Sequence, residues 1–193
     1  MILSTNDYDI LLDIAKRSIR HGYVHHAPIL LRPTDFSADL RKPSSTFVSL
    51  KNGKENLGCR GNWDDSMPLH RSVTKHAFDS AFADYRFPPL NNYRASLATL
   101  QIHHLYSSTT YTGMTLSELE NLIQPDDTIL LRHDNKSALM LAIMQIEFKT
   151  INRFITETKT KSGITVDDFK KIEIRLFKTH ATQEIKLGDL NEI

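Results

Sequence analysis

The chain is predicted to be an α+β protein, a mainly antiparallel sheet with flanking helices, and three observations carry that reading. Short apolar runs come in pairs joined by tight polar turns, amphipathic stripes of helical period lie between them, and such hairpins outnumber any strand–helix–strand crossover. No internal repeat or low-complexity tract is present. The expected unit is one domain spanning 1–193, a larger lobe with a small one built from insertions.

The first element is an amphipathic helix over about residues 5–21. Ser4 and Asp7 have capping-box spacing, Ile10, Leu11, Ile14, Ala15 and Ile19 form the stripe, and Gly22 is placed to end the helix. Residues 25–42, with Pro28 and Pro33, read as an excursion over the surface. A hairpin follows over 46–59, with Asn52-Gly53 as its turn and a return strand from Glu55 to Cys59. After a loop holding Gly61, Trp63, Asp64 and Asp65 comes a second helix. Asp65 or Ser66 would cap it, Pro68 would lie in its first turn, and Leu69, Val73, Ala77, Ser80 and Ala81 would be buried. Phe87-Pro88-Pro89-Leu90 stops it, since proline cannot continue the hydrogen-bond ladder.

Leu100, Ile102 and His104 alternate as a strand, and the polar residues 107–112 read as a connecting segment. Thr115 with Glu118 is a second capping box, opening a short helix that stops at Pro125. A second hairpin pairs 129–131 with 138–143 around His133-Asp134-Asn135. One helix over 145–160 closes at Ser162-Gly163, and the last strand covers 172–178.

Composition narrows the function classes. The 193 residues hold 24 Lys plus Arg against 23 Asp plus Glu, a formal net charge of +1. The signs are interspersed, so broad phosphate contact and a general nucleic-acid role are not expected. A single Cys excludes an intrachain disulfide and a Cys-rich zinc site, which fits a reducing, cytoplasmic setting. No apolar run approaches the ~18 residues of a membrane span, and residues 1–9 lack the pattern of a signal peptide. Phosphate-loop, dinucleotide and nucleophile-elbow motifs are missing, and no cofactor is expected. The histidine spacings give no chelating pair: His25-His26 and His103-His104 diverge in extended chain, and His70 and His76 lie about 240° apart on a helix. Scattered surface histidines are expected instead.

Three local motifs carry a resemblance. Residues 81–90, Ala-Phe-Ala-Asp-Tyr-Arg-Phe-Pro-Pro-Leu, follow the run A-F-x-D-x-R-F-P-P-L. Residues 56–61, Asn-Leu-Gly-Cys-Arg-Gly, match the signature L-R-G-C-I-G at Gly58, Cys59 and Gly61. Residues 129–132 and 136–141 are similar to an L-I-V-R and R-S-G-L-L-L hairpin, without its glycines. On these the chain resembles a diverged member of the AMMECR family, protein A of the AmmeMemoRadiSam system, over roughly residues 9–178. The resemblance implies a two-lobed α+β fold and the company of a Memo-type and a radical SAM protein. It carries no settled reaction.

The candidate residues follow. Cys59 reads either as a nucleophilic or redox thiol or as a small core hydrophobe. Gly58 and Gly61 admit a close-lying backbone or ligand. The family's Arg, two positions before its Cys, shares the thiol's face of a strand; here that position is Leu57, and in a regular strand Arg60 points away from Cys59. Asp84 and Arg86 end the second helix, where Arg86 either anchors an anion or ties the turn to helix carbonyls. Trp63 either rims a cleft or packs on the sheet, with Asp64 and Asp65 favouring the following helix N-terminus. The expected function is an accessory or binding module that takes a partner protein, Memo-like or radical SAM, or a small ligand in a groove lined by the Cys59 hairpin and the Arg86 turn. The alternative is a Cys59-dependent enzyme supported by Asp84, Arg86 or a histidine.

Overall fold

The computed structural model describes residues 2–191; Met1 and the last two positions of the expected 1–193 span lie outside the described residues. In chain order the elements are α1 (Thr5–His25), β1 (Ser45–Asn52), β2 (Glu55–Asn62), α2 (Leu69–Phe82), α3 (Asn92–Leu97), β3 (Thr99–Tyr111), α4 (Leu116–Leu122), β4 (Asp127–His133), β5 (Lys136–Met140), α5 (Met144–Phe148), α6 (Ile151–Ser162), β6 (Glu173–Ala181) and β7 (Ile185–Lys186). The fold is α+β, and the β1–β2, β3–β7, β4–β5 and β4–β6 pairings are all antiparallel. The chain divides into two compact units, one formed by residues up to His104 and from Ala181 onward, the other by Leu105–His180.

In the first unit the strand order is β2-β1-β3, with β7 also paired to β3. Helices α1 and α2 pack on each other and α2 packs on the β1–β2 hairpin. Their buried stripes meet Val48, Leu50, Leu57, Leu100 and Ile102 in one core. Ser4 caps α1 by accepting from the Asp7 amide at 3.1 Å. The helix runs past Gly22, contrary to expectation, and turns at His26 with φ +54. Gly22 is a packing position: a Cβ there would lie 2.4 Å from the Phe78 ring of α2. Pro68 stands at the N-cap of α2, so neither Asp65 nor Ser66 caps it; Asp65 accepts from the Ser45 hydroxyl and Asp64 from Ser66 and Asn62. Helix α3 and strand β7 lie in stretches too short for a periodic signal.

In the second unit the order is β3-β6-β4-β5, over a core drawn from Leu119, Ile129, Leu131, Phe154, Ile155, Ile172 and Ile174. The polar stretch 107–111 is strand: β3 continues to Tyr111 with the side chains of 107–110 exposed, which is why hydropathy reads it as a connection. The Thr115–Glu118 capping box is formed on both sides. The hairpin return is Lys136–Met140, shorter than expected, because the chain leaves the sheet before Ile143. The helix expected over 145–160 is broken in two. Lys149 adopts φ +64 and the Thr150 hydroxyl caps α6 by accepting from the Arg153 amide. Met140 is buried in this core and Met144 packs against it.

Candidate functional site

The Cys59 hairpin is set by its register. Asn52 pairs with Glu55, so the two turn residues are Gly53 and Lys54 rather than Asn52-Gly53, and Gly53 supplies the positive φ of +56. The pairing then slips: Leu50 faces Gly58 while Lys51 faces Asn56, leaving Leu57 as the extra residue of a β-bulge. From Gly58 to Asn62 the pairing is regular, so side chains alternate between the two faces. Gly58 and Arg60 share the face that carries α2. A Cβ on Gly58 would sit 1.9 Å from the Ser80 carbonyl oxygen, so the glycine is what lets the helix lie on the strand. The Ser80 hydroxyl accepts from the Arg60 amide at 2.9 Å and donates to the Val48 carbonyl at 2.7 Å, fastening helix to hairpin. Gly61 is equally confined, with Phe47 and the Thr46 carbonyl 2.3 Å from a Cβ built there.

Asp84 and Arg86 reach the same strand. The backbone groups of Cys59 turn away from β1, and the Asp84 carboxylate accepts from the Cys59 amide at 2.9 Å while Arg86 donates to the Cys59 carbonyl at 2.7 Å. Asp84 also accepts from Arg86 Nε at 2.8 Å and Nη2 at 2.6 Å. Arg86 therefore ties the turn to a strand carbonyl and not to helix carbonyls. Burial on its own would raise the Asp84 pKa; the Arg86 guanidinium and the Cys59 and Arg86 amides overcome it and hold the carboxyl at about 2. The Asp84 side chain is 1% exposed and the Arg86 side chain 44%. Because β2 is an edge of its sheet, this pair fills the hydrogen bonds that an open edge would offer at Cys59. The guanidinium also stands 5.3 Å from the Phe87 ring centroid.

Cys59 lies on the face away from α2, half-buried. Its cross-strand partner is Ser49, and Ser49 Oγ lies 3.0 Å from His103 Nε2. A row Cys59–Ser49–His103 thus crosses β2, β1 and β3. Burial, and secondarily the charge of Lys51, lowers the His103 pKa to about 4. Ser49 and His103 were not among the residues expected from sequence; the alternation of Leu100, Ile102 and His104, which puts His103 on the opposite face, is the signal that points to them. His104 faces α1, with Nδ1 3.1 Å from the Tyr8 hydroxyl and Nε2 2.8 Å from Ser44 Oγ.

The remaining candidates stand apart from the thiol. Arg60 projects to the helix side, where its charge contributes to a lowered pKa at His76. That ring is pushed to about 4, first by burial and then, among charges of both signs, by Lys75 and Arg60. Trp63 is half-buried in the loop after β2. His70, His76, His103 and His104 are all buried, so the expectation of scattered surface histidines does not hold. Among the described residues no helix is long and apolar enough to cross a membrane. Also among them, no group of three or more His, Cys, Asp or Glu is placed to hold a metal.

Comparison with known proteins joins these features to a family. Residues 12–182 match the AMMECR1 family model, and the chain belongs to that family. It is 21% identical over 191 residues to a protein of Thermofilum pendens, covering 93% of this chain and 89% of the relative. It is 22% identical over 178 residues to protein TK0174 of Thermococcus kodakarensis, covering 88% and 85%. The crystal structure of uncharacterized protein PH0010 from Pyrococcus horikoshii is similar in fold, with a TM-score of 0.84 at 21% identity, covering 93% of this chain and 92% of that one.

Proposed function

We propose that this protein is an accessory module that docks a partner protein of the Memo or radical SAM type through the turn at Asp84–Leu90 and the adjoining α3. The observation that carries this reading is the setting of Tyr85. Its neighbours Asp84 and Arg86 are locked onto the Cys59 backbone, and Tyr85 between them is 88% exposed. Tyr93 at 74% and Leu97 at 47% stand out from α3, which Arg94 ties to the turn through the Pro88 carbonyl at 3.0 Å. Rigidly held, exposed aromatic side chains are the anchors from which protein interfaces draw most of their energy.

The test is calorimetric titration of the purified protein with Memo-type and radical SAM proteins from the same genome. Saturable binding to one of them, weakened at least tenfold by Tyr85→Ala with Tyr93→Ala while unfolding is unchanged, supports the reading. Absence of binding to both, or binding indifferent to the two substitutions, overturns it.

The enzyme reading keeps one specific observation, a half-buried Cys59 whose carbonyl holds an arginine. Against it, an imidazole near 4 is a poor acceptor for the proton of a thiol whose ordinary pKa is ~8.5. The polar atoms of Asp84 are likewise engaged by backbone and Arg86. Alkylation of Cys59 across pH separates the readings: an apparent pKa clearly below ~8.5 favours the enzyme, and reaction only after unfolding removes it.

A further inference from the structure

A cavity of about 510 Å³ in the first unit lies between the strap after α1 and the first turns of α2, lined among others by Ile29, Leu31, Met67, His70, Arg71 and Thr74. The strap is anchored at both ends. The Ile29 amide donates to the Ser18 hydroxyl at 3.3 Å, which itself donates to the Thr74 carbonyl, and the Phe36 ring stacks on His70 with centroids 4.6 Å apart. Between these ties the wall is apolar, and Leu30 at the rim is 87% exposed.

Two polar groups of the lining have no protein partner among the described residues, one on the buried His70 and one on the exposed Arg71. His70 Nδ1 lies 2.9 Å from the Leu40 carbonyl, which can only accept, so Nδ1 carries the proton and Nε2 holds a lone pair. That Nε2 is buried and has no donor among the described residues. Arg71 has no ion pair or side-chain hydrogen bond among the described residues, whereas the neighbouring Lys75 pairs with Asp79. We infer that this cavity binds a small amphipathic carboxylate: an aliphatic body against Ile29, Leu31 and Met67, the carboxylate on Arg71, and a hydroxyl on the chain donating to His70 Nε2. The volume is that of a small-molecule site, and an unpaired guanidinium over an apolar wall is the complement of such a ligand.

Octanoate is the probe, titrated into the full chain by calorimetry and followed by the Met67 methyl and the 28–33 amide resonances. Saturable binding with shifts confined to 28–33 and 67–75 is expected. Arg71→Gln weakens it about tenfold, the control Arg41→Gln, a likewise exposed arginine outside the lining, leaves it within about twofold, and 1-octanol, lacking the charge, binds about tenfold more weakly. 3-Hydroxyoctanoate binds several-fold more tightly than octanoate, and that gain is lost in His70→Phe. The inference is overturned by no binding at millimolar octanoate, by equal effects of Arg71→Gln and Arg41→Gln, or by octanol matching octanoate. Equal affinity for the hydroxylated and plain acids overturns the part given to His70.

Discussion

Replacing Asp84 by Ala tests the central structural claim, that the motif around it serves to hold the Cys59 strand. A carboxyl held at about 2 against an ordinary 3.8 contributes about 2 kcal/mol of stability at neutral pH. That figure already includes the bond accepted from the Cys59 amide. The expected loss is therefore about 2 kcal/mol, about thirtyfold in the folding constant. Urea unfolding at pH 7 measures it, and a cycle with Arg86→Ala should return a coupling above about 1 kcal/mol, since the two side chains share two charge-assisted hydrogen bonds. The pH dependence has a definite sign. The folded pKa is depressed, so the contribution is fully present above 3.8 and disappears as pH falls toward about 2; the gap between the parent and Asp84→Ala is flat from pH 8 to 5 and closes below. A loss under about 1 kcal/mol, or additive single and double variants, would refute the clamp.

Two further outcomes follow from named geometry. Gly58→Ala should cost about 3 kcal/mol or block folding, because the Cβ meets Ser80 backbone at 1.9 Å, while Gly53→Ala, open in space but at φ +56, should cost only about 1 kcal/mol; similar thermal midpoints for the two variants would contradict the packing argument. His76 and His103 are held neutral with pKa values near 4 against 6.5 in the unfolded chain, so stability is complete above 6.5 and falls as pH drops toward 4, by on the order of 3 kcal/mol for each ring. Denaturant midpoints at pH 7.5, 6, 5 and 4 should decline through that window, and His103→Gln should flatten part of the decline.

The sheet core, the Ser4 cap of α1 and the Thr115–Glu118 capping box were legible because each is written locally. Alternation marks Leu100 and Ile102, the Thr115–Glu118 spacing marks α4, and both features appear in the structure. The misses have physical causes of the same kind. Gly22 has the look of a helix stop, yet its lack of a side chain serves the crossing with Phe78, a contact 56 residues distant that no local pattern carries. Residues 107–110 are exposed on a strand, so hydropathy gives no alternation to read. The break at Lys149 depends on a capping hydroxyl in Thr150 that is indistinguishable by composition from its neighbours. At the candidate site, the fact that Asp84 and Arg86 meet the Cys59 backbone comes from the return of the chain after α2, and the Ser49–His103 pair comes from strand order. Residue types were readable there; their partners were not.

The positions where this chain departs from the family signature permit a sharper test of what the motif does. Of the residues that match it, Gly58 sits at the strand–helix contact, Gly61 against Phe47 and the Thr46 carbonyl of β1, and Cys59 where its backbone makes the edge bonds. Leu57, where the family has Arg, is the bulge residue and is 3% exposed within the core of α1 and α2. Arg60, where the family has Ile, lies on the helix side beside His76 and away from the thiol. Restoring the signature by Leu57→Arg with Arg60→Ile therefore should not bring a guanidinium to Cys59. It should force a charge into an apolar core, at a cost of several kcal/mol, and leave the alkylation rate of the folded thiol within about twofold of the parent. A restored variant as stable as the parent, with a faster-reacting Cys59, would mean that the bulge can move and that the signature arginine acts on sulfur. Loss of stability with unchanged thiol chemistry would show that the bulge and core have fixed this hairpin in a structural role, leaving recognition to the surface around Tyr85.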